Sequence, residues 1–415
     1  MQISPKTIRV FEYEKLTIHD QHRSFNISRK DLQSLYHFND INNNKYFTSI
    51  RDGIKFTHHV GVIQVGNLTI EILSKADRSN VNSLEEYTRW RGVLIDMLVL
   101  CKHINVDSLQ EANLKKGRTS ILDIYFKLYL QEVKELISKG LFKKYKAHTD
   151  NISYWKGSLN FSQHLQKNLI TKDKFYTTHQ IYSKDHLVNS ILKKAISIIK
   201  STSTNNTILS EVKQLDYVFD TVSDKHIIDK DFLTLNPSRK LKPYNEALRL
   251  AKLIIGQYTP QIKSGGTKLL ALLFDMNKLW EEYIYIMLLR SDKTNYTILS
   301  QRSKNFWDNK VVKPDIVLIN KSTDKTYIID TKWKVIDNNK PSDADLKQMY
   351  VYNMYWDAKR SMLLYPTNTI NKEHFGVFHK GRDGDNLCKL GFINILNDKG
   401  KLDKGIGNLI LDKLS

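Results

Sequence analysis

The residues with the clearest chemical potential lie between Lys313 and Lys334. The chain there reads Lys313-Pro-Asp315-Ile-Val-Leu-Ile-Asn320, then a polar stretch, then Tyr327-Ile-Ile-Asp330-Thr-Lys332-Trp-Lys334. Two β-rich apolar runs, 315–319 and 326–330, flank six polar residues that suit a loop. A hairpin symmetric about that loop sets Asp315 opposite Asp330 with Cβ atoms about 5 Å apart, close enough for both carboxylates to hold one hard cation through oxygen. Lys332 follows Asp330 by two residues, so the strand period projects it from the same face, toward a cation-bound water and a phosphate. Acid, acid and lysine in this order are the metal site of a phosphodiester-cleaving nuclease. Three further acid-x-lysine triplets, Glu132-Val-Lys134, Glu211-Val-Lys213 and Asp345-Leu-Lys347, read as helix or polar surface and have no strand-borne acid mirrored upstream.

Neighbouring elements must hold this hairpin. From 268 the pattern predicts helix (268–290), strands (295–301, 311–319, 326–334), helix (343–357) and strands (361–365, 375–379, 389–395), a sheet with helices on its faces. On the first helix Met276, Leu279, Trp280, Tyr283 and Met287 form a core stripe that leaves Asp275, Glu281 and Glu282 on its flanks, one of which can reach the metal site or simply face solvent. On the second, Gln348 and Tyr352 are one turn apart and share a face. They suit hydrogen bonds to a phosphate or to Lys332, although an ordinary amphipathic helix gives the same spacing.

Upstream, 7–73 is β-rich, with Gly66-Asn67 between alternating apolar residues as a hairpin turn, interrupted by a helix from Ser28 to Phe38. From 84 to about 255 the period is helical: Leu84–His103, Ser120–Lys139 with Gly140 as a stop, 184–200 and 243–257. The expected organisation is an α+β multidomain chain: a β-rich N-terminal domain over 1–83, a mainly helical region over 84–260, and a C-terminal α/β domain over 261–415.

Composition narrows the class. The 415 residues carry a net charge of +20 spread in proportion to length, which suits a polyanionic partner such as DNA, although a Lys-rich chain also arises from an AT-rich genome. Only Cys101 and Cys388 occur, outside any metal-ligand spacing, which argues against a disulfide framework or a zinc site and fits a reducing cytosol. The N-terminus lacks an apolar signal core and no apolar run spans a bilayer, so the expectation is a cytoplasmic protein with no membrane association. There is no Gly-x-x-x-x-Gly-Lys-Ser/Thr loop, and Ser264-Gly-Gly-Thr-Lys268 has only a superficial likeness to one, so any nucleotide-driven motor must be another chain. His58-His59 fall in a predicted strand and read as surface or core histidines rather than metal ligands.

Phe11-Glu-Tyr, Tyr46-Phe, the block from Val60 to Lys75, Phe274-Asp-Met-Asn-Lys-Leu-Trp-Glu-Glu-Tyr283 and Lys313-Pro-Asp…Ile-Asp-Thr-Lys-Trp-Lys334 together resemble McrC, the nuclease subunit of McrBC-type modification-dependent restriction systems. Ser74 stands where the family's pattern has proline, at a turn. The resemblance implies a PD-(D/E)XK domain over 261–415 using Mg²⁺, a role in antiviral defense, and a separate AAA+ GTPase ring, McrB, engaged by the 84–260 region. It implies that Asp315 and Asp330 bind metal, helped by the Thr331 carbonyl and by Glu281 (or the adjacent Glu282), and that Lys332 is the catalytic lysine. Gln348 and Tyr352 resemble the Gln-x-x-x-Tyr element of RecB-type nucleases. Two other readings stay open: a stand-alone RecB-like repair exonuclease, and a mainly structural subunit that stimulates a GTPase.

Overall fold

The computed structural model describes residues 6–20, 26–76, 83–104, 120–170, 172–236, 238–259, 268–291, 295–336, 340–367, 373–379 and 386–414. It is an α+β chain in two compact units, one made of 1–121, 262–267 and 273–415, the other of 122–261 and 268–272. In sequence the second unit is an insertion into the first. The packing therefore divides the chain differently from the expected boundaries at 83 and 260, since 1–121 groups with 273–415.

The first unit opens with β1 (Lys6–Phe11), β2 (Lys15–Thr17), α1 (Arg29–Ile41), β3 (Phe47–Ile50), β4 (Gly53–Phe56), β5 (His59–Val65) and β6 (Leu68–Leu73). Gly66, with φ 56°, takes the left-handed conformation that the tight β5–β6 turn requires. β1 lies parallel to β6, from Lys6 opposite Leu68 to Phe11 opposite Leu73. β2, β4 and β3 form a separate small sheet. α1 begins where Ser28 Oγ accepts from Asp31 N at 3.1 Å, a side-chain cap. α2 (Leu84–Leu100) is buried continuously from Val93 to Leu98. Its Arg91 meets the buried Glu71 of β6 at 3.3 Å.

The second unit runs α3 (Ile121–Ser138), β7 (Lys144–Ile152), β8 (Ser158–Leu159), α4 (Phe161–Asn168), β9 (Phe175–Ser183), α5 (Leu187–Thr202), α6 (Asn206–Asp216), α7 (Asp229–Leu233), α8 (Asn245–Gly256) and β10 (Tyr258–Thr259); β11 (Leu269–Asp275) belongs to it as far as residue 272 and to the first unit from 273. Gly140 at φ 87° ends the turn after α3 as expected. The helical expectation for this region is corrected by the sheet β7-β9-β8. β7 has no buried residue, so it lacks the apolar alternation that announces a strand; ladder bonds and cross-strand pairs such as Tyr145–Tyr182 hold it. A second correction concerns 268–275, a continuous apolar run read as the start of a helix, which pairs with β10 as β11.

β11 leads into α9 (Met276–Arg290), which begins where Asp275 Oδ1 accepts from Asn277 N at 3.0 Å. The five residues of the expected stripe, Met276, Leu279, Trp280, Tyr283 and Met287, are all buried. There follow β12 (Tyr296–Ser300), β13 (Lys304–Trp307), β14 (Lys310–Val312), β15 (Ile316–Asn320), β16 (Thr326–Thr331), α10 (Asp343–Trp356), β17 (Arg360–Thr367), β18 (His374–Val377), β19 (Leu387–Asn394) and α11 (Ile406–Asp412). The expected strand over 311–319 is split at Lys313-Pro314, where proline cannot donate to a ladder. The main sheet has the order β12-β15-β16-β17-β19-β18, antiparallel from β12 to β16 and parallel from β16 through β17 to β19. α10 is the crossover that the parallel β16–β17 pair demands. Its Met349 and Tyr352 pack with Ile328, Leu363, Tyr365, Leu390 and Phe392 on one face of this sheet.

Candidate active site

β15 and β16 pair Ile316 with Ile329, Val317 with Ile328, Leu318 with Tyr327 and Ile319 with Thr326. This is the register read from the sequence, and its continuation sets Asp315 against Asp330. Strand alternation puts Asp330 on the same face as Ile328, beneath α10, and directs Lys332 the same way. Asp330 is 2% exposed.

Each side chain is held by named neighbours. Asp315 Oδ2 accepts from Thr331 N at 2.7 Å and Thr331 Oγ1 at 3.0 Å, so the residue whose carbonyl was expected to help hold a cation also orients the first carboxylate through its N–H and hydroxyl. Lys332 Nζ lies 2.6 Å from Asp330 Oδ2 and donates to Gln348 Oε1 at 3.1 Å. Gln348 Nε2 donates to Tyr352 OH at 2.8 Å, and that hydroxyl donates to Lys313 O at 2.9 Å. Gln348 thus meets the lysine, as one of its expected alternatives had it, while Tyr352 braces Gln348 against the turn before β15. Glu281 and Glu282 separate cleanly. Glu281 accepts from the Gln301 amide and is near the charges of Asp315 and Asp330, whereas Glu282 lies 2.6 Å from His103 Nε2.

Burial and crowding set the electrostatics. Burial, and next the Asp315 carboxylate, raises the pKa of Glu281 to about 7. Asp330 is raised by the same two causes, and Asp315 is raised by burial against the bonds from Thr331. Burial disfavours charge on Lys332, but Asp330 outweighs it and keeps the lysine above its ordinary range, so it is a cation. Three crowded carboxyl groups that resist ionising together either share protons or are neutralised by a cation. An all-oxygen donor set of this kind fits a hard ion such as Mg²⁺.

Four further residues belong to this environment and were not identified from sequence. Gln301 stands beside Asp315, its N–H on Asp315 O at 3.0 Å, in the left-handed region at φ 53° that non-glycine residues seldom occupy. Asp345, dismissed as part of a surface triplet, is brought by the first turn of α10 to 3.8 Å from Lys332 Nζ and accepts from Lys334 Nζ at 2.5 Å. Its signal was Ser342, the cap that fixes where α10 starts. Trp333 Nε1 donates to Glu12 Oε1 at 2.6 Å, and Lys75 N donates to the same oxygen at 3.2 Å. Glu12 is buried, and burial raises its pKa to about 7.

A sheet presenting paired carboxylates and a lysine from one hairpin, braced by the crossover helix, defines a candidate hydrolytic centre of the metal-dependent kind. The family can be stated outright: residues 54–366 match the family model described as McrBC 5-methylcytosine restriction system component, and the chain belongs to that family. Among curated relatives it is similar to the type IV methyl-directed restriction enzyme EcoKMcrBC of Escherichia coli K12, 23% identical over 287 residues that span 63% of this chain and 81% of the relative. Its fold is similar to a half-complex from a tetradecameric assembly of Thermococcus gammatolerans McrB AAA+ hexamers with bound McrC. That likeness has a TM-score of 0.69 at 17% identity and covers 99% of this chain and 100% of the other. A chain of the T. gammatolerans McrBC complex aligns with a TM-score of 0.50 at 19% identity, over 69% of this chain and 88% of that one. Among the described residues no helix is long and apolar enough to cross a membrane.

Proposed function

We propose that this chain is the Mg²⁺-dependent DNA endonuclease subunit of a McrBC-like restriction system, acting in an assembly with an McrB-type AAA+ GTPase ring. The observation that carries the reading is the Asp315–Asp330 pair, Asp330 buried and Lys332 at 2.6 Å from it. The reaction is hydrolysis of a phosphodiester: water's oxygen bonds to phosphorus, one P–O ester bond breaks, and the leaving oxygen takes up a proton. Asp315 and Asp330, with Glu281 and the Thr331 carbonyl, would hold the cation. Bound Mg²⁺ supplies polarisation of the phosphate and a lower pKa for its bound water. Lys332, being charged, acts electrostatically rather than as a base: it orients the water and offsets charge gathering on the phosphate. Gln348 fixes the lysine's position, and Tyr352 fixes Gln348. Membership of the McrBC family and the fold shared with a McrC-bearing assembly favour a ring partner over a stand-alone repair exonuclease.

The test uses the full chain with its ring partner. Asp330→Asn should lower Mg²⁺-dependent cleavage of methylated DNA by at least about 100-fold while the assembly and its GTPase stimulation persist. Lys332→Ala should lower the rate and leave Mg²⁺ affinity largely in place. Undiminished cutting by folded Asp330→Asn removes the site assignment. Vigorous cleavage without any partner favours the stand-alone exonuclease, and restriction in cells that survives Asp330→Asn favours a mainly structural GTPase-stimulating subunit.

A further inference from the structure

A second cluster of metal-ligating side chains gathers at the start of α9, outside the carboxylate site. His58 and His59 lead into β5, and Asp275 caps α9. One ring nitrogen of each histidine and a carboxylate oxygen of Asp275 all lie within 4.8 Å of one another. His58 Nε2 and Asp275 Oδ2 are 3.7 Å apart. The backbone already ties the two segments, Met276 N donating to His58 O at 3.0 Å. Asp275 uses Oδ1 to cap the helix, through Asn277 N and Lys278 N, which leaves Oδ2 for the histidines.

His59 supplies an independent observation. It is 2% exposed, and its Nε2 is fully buried with no hydrogen-bond partner. Its Nδ1 lies 2.9 Å from Thr57 Oγ1, and that hydroxyl donates its hydrogen to Tyr46 O at 2.8 Å. With the hydroxyl hydrogen on Tyr46 O, Oγ1 accepts from Nδ1–H, and that tautomer leaves a lone pair on Nε2. A buried ring nitrogen without a partner is unfavourable. A hydroxyl fixing the far nitrogen is also the kind of outer contact that orients a metal-ligating imidazole. The rings of His58 and Tyr46, centred 4.4 and 5.0 Å from that of His59, hold it in place.

Two imidazoles and one carboxylate are borderline donors that suit Zn²⁺ and its neighbours rather than Mg²⁺. Bonds of about 2.0–2.1 Å space tetrahedral ligands by roughly 3.4 Å, so the observed separations close onto an ion by small side-chain rotations. We propose that His58, His59 and Asp275 bind a borderline divalent transition ion, foremost Zn²⁺, which clamps the start of β5 to the start of the helix that carries Glu281. With three ligands, one negative charge, and Lys45 and Lys278 nearby, the expected Kd is on the order of 1 μM, weaker than four-ligand sites.

The test uses the full chain carrying Asp315→Asn and Asp330→Asn, so that the carboxylate site does not compete. Zn²⁺ is titrated by calorimetry and Co²⁺ by visible ligand-field absorption, which reports nitrogen and oxygen coordination. One equivalent should bind. His59→Gln and His58→Gln should each weaken binding at least about tenfold. Asp275→Asn, which keeps a capping side chain, should weaken binding without melting α9 in circular dichroism. Zn²⁺ should raise the Tm of the parent by more than that of His58→Gln, altered at a part-exposed side chain. Absence of stoichiometric binding below about 100 μM, or equal binding by parent and His58→Gln, overturns the proposal.

Discussion

Replacing Glu12 by glutamine should change how stability depends on pH. The Glu12 carboxyl is buried beneath Trp333, and burial moves its pKa from 4.5 to about 7. Between those values the folded chain binds a proton that the unfolded chain has released, so the unfolding free energy falls as pH rises through this window and levels off above it. The gap between 4.5 and about 7, at about 1.36 kcal/mol per pH unit, amounts to roughly 3 kcal/mol. Glutamine does not titrate, yet its carbonyl still accepts from Trp333 Nε1 and Lys75 N. Glu12→Gln should therefore gain on the parent by roughly 3 kcal/mol between pH 4.5 and 8. Glu281 and Asp330 shift in the same direction in both proteins and cancel in the comparison. The assay is urea unfolding of full-length parent and variant followed by tryptophan fluorescence across that range. Stability curves that stay parallel within about 0.5 kcal/mol would refute the buried, proton-binding carboxyl and the Trp333 anchor built on it.

The crowded carboxyl groups make further predictions. If Mg²⁺ binds as proposed, it would displace protons held by Asp315, Asp330 and Glu281, all raised by burial, so its affinity should climb about tenfold from pH 6 to 8. Calorimetric heats that do not vary with the ionisation enthalpy of the buffer would contradict this. Without Mg²⁺, Asp330→Asn should stabilise the chain at pH 8 by about 1–3 kcal/mol, since it removes a repelled buried charge; urea midpoints decide. Tyr352→Phe deprives Gln348 and Lys313 O of a partner, so it should cost about 1–3 kcal/mol of stability and lower kcat about tenfold with KM unchanged, measured by denaturation and steady-state cleavage.

The hairpin at 316–331 was legible because a six-residue polar loop and alternating strands leave one register that faces Asp315 with Asp330. A helix over 343–357 was read from the sequence, and with it the shared face of Gln348 and Tyr352. β7 escaped because a strand with no buried residue carries no alternation, and β11 because a short apolar run fits helix and strand alike. Asp345 looked like any surface acid, yet the first turn of α10 sets it 3.8 Å from Lys332 Nζ. The Trp333–Glu12 bond had no local signature at all, its partners being 321 residues apart.

That long reach has a consequence for the order in which a ribosome delivers the chain. Glu12 emerges early and waits while the inserted unit is made, and Trp333 follows only after residue 331. β19 and α11, which complete the sheet and pack against α9, come later still. A chain stalled or clipped before 387–412 has both aspartates but an unfinished sheet. Under the nuclease function proposed above, unfinished copies would not be competent ones.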